Sequence, residues 1–426
     1  MLNRNRWFKP GIFAVCALIV VCGFLLFGRS QKRTAEDKKT IQNEIGSEES
    51  QSIEKFSEEA ASDNGQSEDT KNNPADAEGD AQESVSADQE NTESDSASTA
   101  KTDSEKSNVT EDQLIVLQNP TMYTYEDLEN DVWVLSQLYP EIVRSDSLGT
   151  TPDGRELYHF VIGDPEAENR IFISAGIHAR EYITCQLVMK QAAVFLGNLT
   201  ADAVYGDCTY RELMEGRALH VVPMINPDGI SISQFGLKGI QTEAVLEQVK
   251  NIAQMDGQKA EGTYLTRWKS NANGVDLNRN FDAMWEQYND GKGHPSSDHY
   301  KGTEPGSEPE AAALIRLTEE ENFSRTISYH TQGGVIYWYF GQEGELYEKT
   351  KRFAERIGVA TGYYPEANYE NLDPAGYKDW AVSKCGIPSL TIEVGRETSP
   401  VPSDQMEEIW LRNDTVWEET LIDSRL

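Results

Sequence analysis

Two histidines and two glutamates form the group in this chain that is best suited to metal-assisted chemistry. His178 and Glu181 lie three positions apart, His330 follows much later, and Glu393 comes further along still. Two imidazoles and one carboxylate can supply three protein ligands to a zinc ion and leave its fourth position open for water. The second carboxylate is then available to take up and return a proton. We therefore predict a zinc site with His178, Glu181 and His330 as ligands and Glu393 as the proton-transferring group.

A His-x-x-Glu pair taken alone is a weak signal, because such pairs occur often by chance. Its competing interpretation is a surface histidine beside an exposed glutamate. Three other kinds of hydrolytic site find no support in the sequence, which has no His-Glu-x-x-His motif, no Gly-x-Ser-x-Gly motif and no thiol in a basic context. The remaining histidines are predicted to be structural within strands or exposed in a loop: His159, His220, His294 and His299.

A second group of polar residues occurs in the stretch Asp276-Leu-Asn-Arg-Asn-Phe281. The planar guanidinium of Arg279 suits a carboxylate, and Asn278 places a neutral donor beside it. The alternative is an arginine that serves the fold by pairing with Asp276 or Asp282. The sequence predicts either a carboxylate-binding site or a structural ion pair here.

The elements that must position these side chains are predicted from apolar periodicity. Buried strands are expected over residues 170–176, 218–226, 325–330 and 389–393, and a hairpin turn at Pro152-Asp153-Gly154. Helices are expected over residues 123–139 behind an N-cap at Thr124, over 187–196, and from Ser307-Glu-Pro-Glu310 onward with Ser307 as the cap.

Strands that alternate with helices indicate an α/β sheet covered on both faces. In such sheets the ligand site lies at the carboxyl ends of the strands. His178, Asn226, His330 and Glu393 each stand at or just past the end of an apolar run. We therefore expect residues from distant parts of the sequence to meet at one edge of the sheet.

The first 29 residues contain an uncharged apolar run over residues 11–28, with basic residues on both sides. Its length just suffices to cross a bilayer as a helix, so an uncleaved single-pass anchor is predicted. A removed secretion signal and a lipid anchor on Cys22 are the alternatives. Each of the three places the rest of the chain outside the cytoplasm, at the cell membrane or, after cleavage, as a secreted protein.

Residues 30–112 are rich in acidic residues, serine and amides, and are predicted to be a disordered, self-repelling linker. Residues 113–426 contain most of the aromatic residues and suffice for one large domain. The net charge of −34 argues against nucleic acid as a partner. Cys185, Cys208 and Cys385 could form at most one disulfide and are interpreted as small buried residues.

The chain resembles the zinc carboxypeptidases of the carboxypeptidase A/B type over roughly residues 122–418. The stretches that carry this resemblance are Gly176-Ile-His-Ala-Arg-Glu181, Asn226-Pro-Asp-Gly229, Gly274-Val-Asp-Leu-Asn-Arg-Asn-Phe281, Tyr300-Lys-Gly, Ser307-Glu-Pro-Glu310, Ser328-Tyr-His330 and Thr391-Ile-Glu393. Several stretches in the right order are far more specific than any one of them.

The resemblance implies a mixed, mostly eight-stranded sheet flanked by helices on both faces. It implies one zinc ion per chain on the three ligands named above, with Glu393 as general base and acid. It also implies that Asn278 and Arg279 hold the terminal carboxylate of a peptide substrate and that Arg180 lines the cleft.

The chain departs from the family pattern at three places. For the cation that stabilises the oxyanion, Lys269 aligns best and Arg267 is the alternative. For the tyrosine that closes over the substrate, Tyr377 and Tyr369 are imperfect candidates. Lys378 falls where the family tunes its side-chain pocket, and a lysine there would favour an acidic leaving residue.

The sequence therefore predicts a membrane-tethered zinc peptidase that acts outside the cytoplasm, next to a C-terminal carboxylate. Bacterial relatives within the resembled family cut γ-D-glutamyl–diaminopimelate bonds, so peptidoglycan stem peptides are the expected substrates. One alternative is a carboxypeptidase that recovers nutrient amino acids. Another is a module that binds wall peptides without catalysis.

Overall fold

The computed structural model describes residues 109–369 and 372–426. The apolar run with its predicted anchor, and nearly all of the acidic linker, lie outside this range. None of the helices inside it is both long and apolar enough to cross a membrane. A short 3-10 helix, Glu111–Gln113, spans the predicted boundary between linker and folded domain.

A mixed eight-stranded sheet forms the centre of the domain, with the order β1–β2–β6–β3–β7–β10–β8–β9. β6, β3, β7 and β10 run parallel to one another at its middle. β2 lies antiparallel to β6 on one side, and β8 lies antiparallel to β10 on the other, where β9 then pairs with β8 in parallel. β4 and β5 form a separate two-stranded ribbon. The strands are β1 (Val143–Thr150), β2 (Glu156–Gly163), β3 (Asn169–Ala175), β4 (Val204–Tyr205), β5 (Cys208–Thr209), β6 (Arg217–Val222), β7 (Arg325–His330), β8 (Val335–Tyr337), β9 (Tyr364–Glu366) and β10 (Ser389–Glu393).

Helices cover both faces of the sheet, as predicted. The helices are α1 (Tyr125–Leu138), α2 (Ile183–Thr200), α3 (Tyr210–Met214), α4 (Pro227–Phe235), α5 (Glu243–Met255), α6 (Thr263–Thr266), α7 (Pro309–Glu321), α8 (Gly344–Thr361), α9 (Tyr377–Ser383), α10 (Met406–Asn413) and α11 (Val416–Asp423).

The central strands bury side chains on both faces because successive residues of a strand point in opposite directions. In β3, Ile171 and Ile173 join the apolar cluster that includes α2 and α8, while Phe172 joins the cluster that includes α7 and α9. This double burial explains why the parallel strands appear in the sequence as continuous apolar runs.

Several sequence predictions are confirmed closely. α1 begins behind Thr124, whose side chain accepts a hydrogen bond from the amide of Asp127. β7 and β10 have the predicted bounds, and the predicted hairpin joins β1 to β2. These elements were predictable because their caps, turns and apolar runs are local signals.

Two boundary predictions are wrong. β6 ends at Val222, and Asn226 instead caps α4 by accepting a hydrogen bond from the amide of Gly229. α7 has Glu308 rather than Ser307 at its N-cap position, without a capping hydrogen bond from its side chain. Ser307 is occupied elsewhere, since its hydroxyl contacts Asn280 and Glu308.

Candidate active site

A tight turn after β3 brings His178 and Glu181 to one side of the sheet edge. Gly176 adopts a φ of +66°, and a Cβ there would lie 2.4 Å from the Sγ of Cys185, so only glycine fits. His178 then caps the 3-10 turn Ala179–Glu181. Both side chains are buried as a result.

His330 reaches the same place from the neighbouring strand. It is the last residue of β7. The residue before it, Tyr329, pairs in register with Ala175 at the end of β3. The Nδ1 atoms of His330 and His178 lie 3.2 Å apart. The carboxylate of Glu181 bridges them, at 2.9 Å from the Nδ1 of His178 and 3.2 Å from the Nδ1 of His330.

The three side chains fit a metal ion. One ligand atom of each lies within 4.8 Å of the others, and no other such group of three occurs in the part of the chain that the structure describes. Burial alone would raise the pKa of Glu181, but the two imidazoles hold it below its usual value, so its carboxylate is ready to bind a cation. Two nitrogens and one oxygen are a donor set of catalytic zinc sites.

Behind the ligands lies a carboxylate that sequence reasoning did not assign. The Oδ1 of Asp276 lies 3.2 Å from the Nε2 of His178, and its Oδ2 is 2.8 Å from the Nζ of Lys269. Asp276 is fully buried. Carboxylates in this position orient metal-binding imidazoles and raise their basicity. The only sequence signal was its place in the Asp-Leu-Asn-Arg stretch.

Glu393 ends β10, where it is the register partner of His330 on the parallel strand β7. It is partly exposed and lines a cavity of about 290 Å³. Burial raises the pKa of its carboxyl to about 8, and the nearby Glu181 acts in the same direction while His330 opposes it. A carboxyl with such a pKa can both accept and donate a proton near neutral pH.

Three of the residues predicted to bind substrate, Asn278, Arg279 and Lys378, line the same cavity as Glu393. Its walls are Asn278, Arg279, Tyr337, Tyr339, Phe340, Ala367, Asn368, Leu372, Asp373, Gly376, Lys378, Asp379 and Thr391. The structure thus brings the predicted carboxylate-binding pair and the predicted pocket lysine together with the predicted base.

Arg279 is buried and forms part of the cavity wall. Its Nη1 donates to the backbone oxygen of Asn278 at 2.8 Å, and its Nη2 to the Oδ2 of Asp373 at 2.5 Å. Its Nε has no hydrogen-bond partner among the described residues. The alternative of a structural ion pair with Asp276 or Asp282 is not what the structure shows, since the ion pair of Arg279 is made with Asp373.

Lys378 is already neutralised within the protein. Its Nζ lies 2.5 Å from the Oδ1 of Asp379 and donates to the backbone oxygen of Tyr339 at 3.2 Å. Asn278 accepts a hydrogen bond from the amide of Tyr377 at 3.0 Å, which ties the two cavity-forming loops together.

The side chain of Tyr377 does not lie at the cleft. It is fully buried, its hydroxyl is 2.9 Å from that of Thr318, and its ring packs against Phe172 and Phe281. In this position it cannot close over a substrate. The other candidate, Tyr369, is exposed and packs on the cavity-lining ring of Tyr339, at 4.6 Å between centroids.

The three other predicted cations, Lys269, Arg267 and Arg180, do not line this cavity and occupy different environments. Lys269 is buried and paired with Asp276, so in this conformation it supports the ligand shell. Arg267 is exposed. Arg180 donates from Nη1 to the backbone oxygen of Arg267 at 3.3 Å and is not among the residues that line the cavity.

A second pair of histidines lies further along the sheet. The Nε2 of His159 on β2 is 3.2 Å from the Nδ1 of His220 on β6. Asp146 contacts the other ring nitrogen of His159 at 2.8 Å. Both rings are buried, in agreement with the structural role predicted for them. His294 and His299 lie in a loop and are partly exposed, and Cys185, Cys208 and Cys385 are unbridged.

Comparison with known proteins gives a consistent result. The family model described as zinc carboxypeptidase matches residues 129–415. Gamma-D-glutamyl-L-diamino acid endopeptidase 1 of Lysinibacillus sphaericus is 31% identical over 300 residues, which are 70% of this chain and 70% of that protein. Carboxypeptidase B of Bos taurus is 23% identical over 313 residues, 67% of this chain and 68% of that protein.

Solved structures share the fold. Carboxypeptidase A from Helicoverpa armigera has a TM-score of 0.53 at 20% identity, over 75% of this chain and 76% of that one. Thrombin-activatable fibrinolysis inhibitor has a TM-score of 0.57 at 18% identity, over 74% and 78%. The mixed sheet with helices on both faces is therefore a fold that the chain shares with these two proteins.

Proposed function

The chain belongs to the zinc carboxypeptidase family and is a zinc-dependent peptidase, and from this premise we propose that it hydrolyses the bond next to a C-terminal carboxylate. The observation that carries the proposal is that Glu393 lies beside the metal-binding group, as the register partner of His330, and lines one cavity with Arg279. His178, Glu181 and His330 would hold the zinc ion. Zinc bound there would polarise the scissile carbonyl and lower the pKa of a water towards about 7.

Glu393 is proposed as the group that moves the proton. As a carboxylate it takes a proton from the attacking water, whose oxygen forms the new bond to the carbonyl carbon. As an acid it then gives that proton to the leaving nitrogen when the C–N bond breaks. Its raised pKa favours the second transfer.

Arg279 and Asn278 are proposed to hold the terminal carboxylate. A guanidinium binds a carboxylate through two parallel hydrogen bonds, which fixes the substrate relative to Glu393. Burial of Arg279 strengthens this interaction because few waters compete for its donors. Asp373, which accepts a hydrogen bond from Arg279 in this structure, must first be displaced from the guanidinium.

We also propose which substrates the peptidase cleaves and where it is located. The relative from Lysinibacillus sphaericus is named for a γ-D-glutamyl–diamino acid bond, which supports peptidoglycan stem peptides as substrates of this chain. The apolar run before residue 29 and the acidic linker support a tether to the cell membrane with the peptidase outside the cytoplasm. One zinc ion per chain would be required.

The test is a panel of peptides with mass-spectrometric identification of the bond that breaks. The zinc-loaded wild type should release the C-terminal residue from stem peptides with a free carboxylate and leave the amidated peptides intact. Glu393→Gln should lose activity by at least about 100-fold while it keeps one zinc ion. Glu320→Gln, which changes an exposed glutamate of α7, is the matched control.

Cleavage of amidated peptides at the same rate would contradict the requirement for a terminal carboxylate. Full activity of Glu393→Gln would remove the proposed role of that residue. A zinc-loaded wild type that cleaves no member of the panel would reject the substrate proposal.

A further inference from the structure

Asp373 forms an ion pair with Arg279, the residue proposed above to bind the terminal carboxylate of a substrate. Its Oδ2 lies 2.5 Å from the Nη2 of Arg279, and both residues line the cavity that contains Glu393. The aspartate side chain is 67% exposed, whereas that of the arginine is only 10% exposed. Asp373 therefore acts as an internal carboxylate on the binding arginine.

We propose that Asp373 is a specificity-determining residue that moves from Arg279 to an ammonium group on the side chain of the leaving residue. The site would then select C-terminal residues with a side-chain amine, that is, diamino acids. This inference rests on the proposed function and assigns the selection to a named residue.

Separating Asp373 from Arg279 should cost little free energy. An ion pair with a largely exposed partner stabilises a protein little, because water solvates the freed carboxylate. Arg279 keeps its contact with the oxygen of Asn278, and its Nε is without a hydrogen-bond partner in the described structure. An incoming carboxylate can therefore replace Asp373 at the Nη2 of Arg279 while the arginine stays held by Asn278.

The charges of the cavity explain why an amine should be selected. Besides Glu393, its lining contains two cations, Arg279 and Lys378, and two anions, Asp373 and Asp379. Lys378 is held by Asp379 at 2.5 Å, so it offers no free positive charge. A carboxylate that binds Arg279 leaves Asp373 without its cation and close to a like charge. A side-chain ammonium restores the balance.

The walls of the cavity suit an aliphatic side chain that ends in such a group. Phe340, Ala367 and Leu372 provide apolar surface for methylene groups, while Asp373 provides the anion. This conclusion differs from the expectation that Lys378 makes the pocket select acidic residues. The difference arises because the sequence could not show that Asp379 pairs with Lys378.

Two matched pairs of peptides test the inference, each pair differing only by one amine. One pair ends in lysine or norleucine, and the other ends in diaminopimelate or 2-aminopimelate. The zinc-loaded wild type should prefer the amine-bearing peptide by at least about tenfold in kcat/KM, as expected for a charge pair in a partly desolvated site. Asp373→Asn should abolish most of this preference and lower KM for the norleucine peptide.

Asp282→Asn is the control, because Asp282 is an exposed aspartate whose ion pair with Lys384 lies outside the cavity lining. It should keep the wild-type preference. An unchanged preference in Asp373→Asn would overturn the inference. An equal loss on both members of a pair would also overturn it, since Asp373 would then only position Arg279.

Failure of the proposed function can be told apart from failure of this inference. If the zinc-loaded wild type cleaves no peptide, calorimetric binding of free lysine and free norleucine still tests Asp373. Selective binding of lysine that Asp373→Asn abolishes would support the inference. Equal binding of the two amino acids by the wild type would overturn it.

Discussion

The two histidine pairs of this domain have the same nitrogen–nitrogen distance, but the neighbouring carboxylate contacts different ring nitrogens in each pair. In one pair the Nδ1 atoms of His178 and His330 are 3.2 Å apart, and in the other the Nε2 of His159 is 3.2 Å from the Nδ1 of His220. The rings of the first pair meet edge to face at 71°, and those of the second are stacked at 29°.

The third side chain makes the difference. Glu181 contacts the same two nitrogens that face each other, so three donors converge on one point. Asp146 contacts the far nitrogen of His159, and Glu321 is 3.9 Å from the far nitrogen of His220. A close pair of imidazoles therefore becomes a metal site only when a further donor faces the shared point.

Of the variants that test the difference between the two histidine pairs, Glu181→Gln is expected to have the largest effect. The variant keeps both histidines but replaces the converging carboxylate with a weak, neutral ligand. We expect it to lose zinc at stoichiometric concentration and to lose at least about 100-fold in hydrolysis, since even a change behind the ligands costs 10–100-fold. Metal analysis after dialysis measures this, and a variant that retained its zinc would contradict the assignment of Glu181.

A smaller effect is expected from Asp276→Asn. Asp276 contacts the Nε2 of His178 and balances the charge of Lys269, so its loss weakens the orientation and basicity of the ligand. Zinc affinity should fall about 10–100-fold while the fold remains. Competition with a chelator gives the affinity. Unchanged affinity would show that this carboxylate only neutralises Lys269.

The smallest effect on zinc is expected from His220→Phe, which should leave the zinc content unchanged. Its effect should appear in the pH dependence of stability. Burial lowers the pKa of His220 to about 3, and His159 and Arg170 act in the same direction while Asp146 opposes. In the unfolded chain the imidazole has a pKa of about 6.5.

Because the folded pKa is the lower one, the unfolded state binds the proton first and stability falls as the pH drops below about 6.5. Between pH 7 and pH 4.5 this residue should cost the wild type about 2.5 kcal/mol of unfolding free energy. His220→Phe should show a decline smaller by that amount in urea titrations. An identical decline in both proteins would contradict a lowered pKa of His220 in the folded state.

The metal-binding residues and Glu393 were predictable from the sequence because they lie at or just after the ends of apolar strands. His330 and Glu393 end strands whose bounds follow from apolar runs, and His178 follows such a run directly. Parallel strands bring their carboxyl ends to one edge, so side chains far apart in sequence meet there. Local patterns thus determined a non-local geometry.

The cavity end was not predictable to the same degree, because loops build it. The partner of Arg279 is Asp373, 94 residues further along, and no periodic pattern links the two. The three-residue strands β8 and β9 were missed since they are too short to show alternation. Tyr377 was placed at the cleft by its position in the sequence, but helix α9 turns its ring into the core.

The pairing of β7 with β10 has a consequence for how this catalytic apparatus could be redesigned. Glu393 stands opposite His330 in a ladder of backbone hydrogen bonds, so their separation is fixed by the spacing between strands. A slip by one residue would turn either side chain to the wrong face. The relative position of Glu393 and His330 therefore does not depend on the loops that line the cavity, and those loops could be redesigned without changing it.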